Sequence, residues 1–202
     1  MLKKWKGKDW YNILAPKMFG EIFLYETPST DNSYLVGRTV EATVSQLTSD
    51  KTRGHIKVLF KIDDIKEKTA YTSFHGLVCN QEYIYRNVRS GLQKMECIDT
   101  VDTNDGWKLQ ITTSMILNKK SETMIQKKAR KFSIDFLKDN ASKSNLEDFI
   151  KNIVTGVYQK KMKKDGSRIY PVRFLEIGKI EVVHQGAKDT QADSQNPTDK
   201  LK

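Results

Sequence analysis

Through the middle of the chain, apolar and polar residues alternate almost one for one. Val40, Ala42 and Val44 alternate with Thr39, Glu41 and Thr43, and after a turn near Ser49–Gly54 come Ile56, Val58, Phe60 and Ile62, interleaved with Lys57, Leu59, Lys61 and Asp63. A period of two is that of a strand with one buried face. Ala70 to Val78 reads as a third, shorter strand. Asn80 to Arg89 places Tyr83, Ile84 and Val88 at helical spacing and predicts a short helix ended by Ser90-Gly91. Met95, Cys97 and Val101 then lead into Asn104-Asp105-Gly106, and the return run from Trp107 to Leu117 alternates again. That is a hairpin, because an Asp-Gly pair supplies the positive φ that a tight turn requires. Tyr170 to Val183 reads as a last long strand that closes or edges the same sheet, with Gly178 marking a bulge.

Between the hairpin and that last strand the period changes. From Lys119 to Leu137, Ile125, Ala129, Phe132 and Phe136 fall within about 40° of one line on a helix, while Lys120, Lys127, Lys131 and Lys138 gather on the opposite side. A second helix follows. Ser144-Asn145-Leu146-Glu147 has the form of a capping box, with Ser144 expected to satisfy the Glu147 N–H. Leu146, Phe149, Ile150, Ile153, Val154 and Val157 repeat as a buried stripe. Lys160, Lys161, Lys163 and Lys164 follow, more cations than the helix C-terminus needs.

Charge sharpens this picture. The net charge is +10 over 202 residues, unevenly placed. Residues 18–118 carry eleven basic and thirteen acidic side chains, whereas residues 119–173 carry fifteen basic and six acidic. The first 17 residues add five lysines against one aspartate, mixed with Trp5, Trp10 and Tyr11, and read as an extended basic arm. Such segregation implies a polyanionic partner, nucleic acid first, and the dominance of Lys over Arg points to the backbone of a folded RNA. Charge alone leaves DNA open. No apolar run is long enough to span a bilayer, no lipidation motif accompanies the charge, and the N-terminus has no signal-peptide core, so no membrane partner is expected. Cys79 and Cys97 are expected to be reduced thiols in a cytoplasmic protein.

Catalytic chemistry finds little footing. Asp99 and Asp102 fall on opposite faces of a strand, and Asp105 belongs to the turn. His55, His75 and His184 share no ligand spacing, neither cysteine has a nearby partner, and both phosphate-binding glycine motifs are missing. No enzyme, metal or cofactor is expected.

Several stretches carry a family resemblance. Lys8-Asp9-Trp10-Tyr11, Ala15-Pro16-Lys17-Met18-Phe19, Gly37-Arg38-Thr39-Val40-Glu41, Thr72-Ser73-Phe74-His75-Gly76 and Thr103-Asn104-Asp105-Gly106-Trp107 follow one another. Ile125, Lys127, Lys128, Ala129 and Arg130, then Ile169-Tyr170-Pro171, complete the set. Together, from about Lys8 to about Glu181, they resemble the small-subunit ribosomal protein family S3Ae, also called eS1. The lack of a lysine-rich extension before the arm favours an archaeal member.

The resemblance implies an antiparallel sheet curled towards a barrel with helices packed on it. It also implies a seat on the small-subunit platform, near the messenger exit. The expected partners are small-subunit rRNA, neighbouring ribosomal proteins, and messenger RNA near the exit. A stand-alone RNA-binding regulator or RNA chaperone is the alternative.

The fold expected is therefore α+β: a mostly antiparallel, barrel-like sheet with two packed helices. The arm would span residues 1–20 and a single domain 21–184, with strands over about 36–118, helices over about 120–158 and a last strand over about 169–183; residues 185–202 form a polar tail expected to be disordered. The expected RNA contacts are Lys3, Lys4, Lys6, Lys8, Trp10, Tyr11 and Lys17 from the arm, Lys119, Lys120, Lys127, Lys128, Arg130 and Lys131 from the first helix, and Lys160, Lys161, Lys163, Lys164 and Arg168 beyond the second.

Overall fold

The structure, a computed structural model, describes residues 7–48 and 50–186. Its frame is an eight-stranded sheet: β1 (Asp9–Leu14), β2 (Phe23–Ser29), β3 (Thr39–Thr43), β4 (Ile56–Lys66), β5 (Thr69–Cys79), β6 (Gln93–Asp102), β7 (Lys108–Leu117) and β8 (Val172–His184). The order β2-β1-β5-β8-β7-β6 forms one path, and β4, with β3 on its far side, pairs with the other edge of β5. Every pairing is antiparallel except β1 with β5.

Strand β5 is the hub. One edge runs along β4, while the other is shared: β1 pairs with Thr69–Tyr71 and β8 with Gly76–Val78. Crossing β8 there needs a residue without a side chain, because a Cβ at Gly76 would lie 2.6 Å from the Ile180 carbonyl oxygen. The bulge expected at Gly178 is present, since the β7–β8 register passes from Lys179 to Ile177 between Thr112 and Thr113.

Three expectations are corrected. The sheet does not close into a barrel: β2, β3 and β6 are its ends, and no pairing joins them among the described residues. The arm is structural from Asp9 onward, because Tyr11 and Ile13 are buried and Ile13 packs with Val40, Ile62 and Ala70. Residues 26–33, ETPSTDNS, which read as a polar loop, begin instead inside β2, which pairs with β1 through Ser29. Lys3, Lys4 and Lys6, and the tail beyond Gly186, lie outside the described residues.

Short helices α1 (Val44–Leu47) and α2 (Gln81–Tyr85) close loops in the strand region. The longer ones are α3 (Thr123–Ala141), α4 (Leu146–Val154) and α5 (Val157–Gly166). The single helix expected after Ser144 is two, because Gly156 adopts φ 77°, a left-handed conformation that ends α4 and starts α5. The expected cap is also different. Asn145, not Ser144, is the N-cap residue, and the Leu146 N–H donates to Asp105 Oδ2 at 2.8 Å, from the turn between β6 and β7. The hairpin thus satisfies an orphan donor of α4 from 41 residues away.

Candidate nucleic-acid interface

Helix α3 buries Ala129, Ser133, Leu137 and Ala141, four residues apart each time. The buried line is therefore one step round from the predicted seam, and three of its four residues are small. Small side chains let the helix lie close against β6, its main strand contact. Ser133 returns its hydroxyl to the Ala129 carbonyl at 3.0 Å, so the polar atom costs little. Phe132 and Phe136 instead fill the space towards α5: the Phe136 ring meets Tyr158 edge-on at 6.2 Å, and Gly166 faces Phe132. Tyr158 stacks in turn near Phe149, which binds α4 into the same layer.

This packing leaves Lys127, Lys128, Arg130 and Lys131 exposed on α3, and Lys160, Lys161, Lys163 and Lys164 exposed on α5. Among the described residues none of these eight lies within 4 Å of a carboxylate. Lys119 and Lys120, exposed just before α3, are unpaired by the same measure. Lys138, at the far end of α3, is different: it pairs with Asp99 of β6 at 2.8 Å, and that hydrogen bond raises its pKa above the ordinary lysine value. Arg168 lies 4.0 Å from Asp165, in the turn after α5.

The arm residues divide. Trp10 is 53% exposed on the outer face of β1, whereas Tyr11 is 6% exposed and cannot present its ring to a base, which corrects its expected contact role. Lys17 is exposed in the turn after β1, and Lys8 is half-buried ahead of it. The structure thus joins the expected residues of α3 and α5 in one layer and sets Trp10 and Lys17 apart from them, in the strand region.

The cysteines are not poised for chemistry. Burial pushes the Cys79 thiol up to about 12, and burial also raises that of Cys97. Sequence reasoning missed Arg53, whose guanidinium packs onto Gly156 at the start of α5. It also missed the buried pair it adjoins, in which Gln159 Nε2 donates to Glu176 at 2.9 Å. A glycine inside an apolar helical stripe was the available signal.

A sheet scaffold bearing a layer of unpaired cations has the build of a structural protein that holds a partner. The description of the ribosomal S3Ae family matches residues 1–186. Small ribosomal subunit protein eS1 of Methanopyrus kandleri is 33% identical over 186 residues, covering 90% of this chain and 88% of the relative. The eS1 proteins of Methanothermobacter thermautotrophicus and Archaeoglobus fulgidus are also 33% identical, covering 91% and 92% of this chain and 94% and 89% of their own. The chain belongs to the ribosomal S3Ae family and is a structural component of the small ribosomal subunit rather than an enzyme.

Proposed function

We propose that the chain holds folded rRNA on the platform of the small subunit, near the messenger exit, through the lysines of α3 and α5. The observation that supports this reading is the pairing pattern: Lys138 and Lys151 pair with carboxylates, but among the described residues Lys127, Lys128, Arg130 and Lys131 of α3 and Lys160, Lys161, Lys163 and Lys164 of α5 do not. Unpaired cations on a rigid surface release counterions from RNA phosphates and let RNA helices approach one another. Lysine supplies that charge without reading bases, so the shape of the folded RNA sets the register. Lys119, Lys120 and Arg168 extend the surface at its ends. Trp10, with Lys8 and Lys17, offers a second and smaller contact, a ring for stacking beside cations. Neighbouring ribosomal proteins are partners in this seat, as is messenger RNA passing the exit.

The test is the salt dependence of binding to small-subunit rRNA. Replacing Lys127 and Lys131 with Gln should flatten the log–log slope by about two, with the melting temperature unchanged. An unchanged slope would remove α3 from the interface.

A further inference from the structure

Three of the sequence stretches that carry the family resemblance have no part in the basic layer, yet they meet in space. Pro16, Lys17 and Met18 follow β1; Thr72, Ser73 and Phe74 belong to β5; Asp105 and Trp107 flank the turn between β6 and β7. They line one open groove of about 380 Å³, together with Asp63 of β4, Leu146 and Glu147 at the start of α4, and Gln185 just past β8. Residues some 50 and 30 positions apart in the chain thus converge on one cleft.

The groove is mostly apolar, lined by Met18, Phe74, Trp107 and Leu146. Its charged members are Asp63, Asp105 and Glu147 against the single cation Lys17. In a chain of net charge +10 this is a local inversion of sign. Asp105 is held by its bond from the Leu146 N–H, Glu147 pairs loosely with Lys151 at 3.5 Å on the exposed side of α4, and Asp63 is engaged within the chain as well, so the groove offers acidic charge and not idle carboxylates. A phosphate backbone would meet repulsion here. A lysine or arginine side chain would not: its methylene stem can lie along the aromatic ring while its head reaches the carboxylates at the rim.

We propose that this groove receives a lysine- or arginine-bearing extended segment of a partner protein. Gly186, the last described residue, lies against Trp107; the sequence after it, residues 187–202, carries three Lys and three Asp and offers no net charge to match. The proposal does not rest on the basic layer of α3 and α5: it shares only Lys17 with the RNA reading and concerns a partner of opposite charge.

The test is fluorescence anisotropy with the full chain and two labelled peptides, one of alternating glycine and arginine, one of alternating glycine and glutamate. The arginine peptide should bind in spite of the protein's net positive charge, and the glutamate peptide should not bind at the groove. The double variant Asp63→Asn, Glu147→Gln should weaken arginine-peptide binding by about fivefold or more, while its rRNA salt slope and melting curve stay as in the parent. Trp107→Leu should weaken it independently. No binding of the arginine peptide, or equal binding by parent and double variant, overturns the proposal. So does binding that appears only after residues 187–202 are removed, which assigns the groove to the chain's own tail. A gain of rRNA affinity in the double variant, from removing repulsion of phosphates, would assign it to RNA instead.

Discussion

The strand region and the helical layer use lysine in opposite ways. On the strands, Lys57 meets Glu41 at 2.9 Å, Lys94 meets Glu96 at 2.6 Å and Lys179 meets Glu181 at 2.6 Å, with Lys68–Asp9 and Lys108–Asp102 at 3.8 and 3.7 Å. Strand geometry favours this, since residues two apart, or opposite on a neighbouring strand, share a face. Such exposed pairs add roughly 0–1 kcal/mol each to stability. Their larger effect is to cancel the field that a polyanion would feel. On α3 and α5 the carboxylates are too few, and eight cations stay unpaired among the described residues. Composition already separates the two in net charge; the pairing adds which of the cations stay without a carboxylate.

Among the joins between the two regions the contact of Arg53 with Gly156 is the tightest, and breaking it should have the largest effect. Arg53, in the loop before β4, lays its guanidinium over the Cα of Gly156, where a Cβ would collide with it. Gly156 also has φ 77°, which an L-residue adopts at a cost. Gly156→Ala therefore combines backbone strain with displacement of Arg53 and should lower stability by about 2–4 kcal/mol in urea unfolding. A loss below about 0.5 kcal/mol would mean that the junction is slack and the regions are only loosely coupled.

A smaller effect should come from the second link, the hairpin turn. Asp105→Ala removes the acceptor of the Leu146 N–H and should cost about 1 kcal/mol, the usual worth of a helix N-terminal acceptor. Ser144→Ala should cost much less, because Ser144 Oγ meets only Tyr158 Oη, at a long 3.5 Å. Equal losses in the two variants would restore the local capping box that the sequence suggests.

That pair of variants also marks where sequence reading stops. The strands from Thr39 onward were legible because apolar and polar residues alternate along them, although β7 is buried on both faces from Thr113 to Leu117. Strand β1 was not: Trp10, Leu14 and the buried Tyr11 and Ile13 make both of its faces apolar, so no period of two appears. The seam of α3 shifted by one position because contact with β6 selects small residues, and a hydrophobicity pattern gives Ser133 and Ala141 little weight. The basic residues of α3 and α5 could be named from the sequence, since exposure of lysine needs no partner. Which lysines are unpaired could not, because Asp99 reaches Lys138 from 39 positions away. The groove was invisible for the same reason, being assembled from six separate segments.

The smallest expected effect lies on the underside of the helical layer, where a charge is buried instead of displayed. Glu176 of β8 is 6% exposed beneath α5. Burial raises its pKa, and the hydrogen bond from Gln159 and the charge of Arg53 only partly pull it back. A carboxyl whose pKa is higher in the folded state favours folding in its protonated form. Its contribution is thus complete below the ordinary carboxylate range and is lost as pH rises through the raised folded value. Glu176→Gln keeps an acceptor for Gln159 Nε2 and removes the ionisation. The variant should therefore melt above the parent at pH 7.5, and the gap should narrow as pH falls towards about 4, where the parent's carboxyl is protonated in both states. A gap of the same size at both pH values would show that Glu176 is not penalised for its charge. The contrast between cations displayed on the outer surface and an anion held at a cost beneath it would then fail.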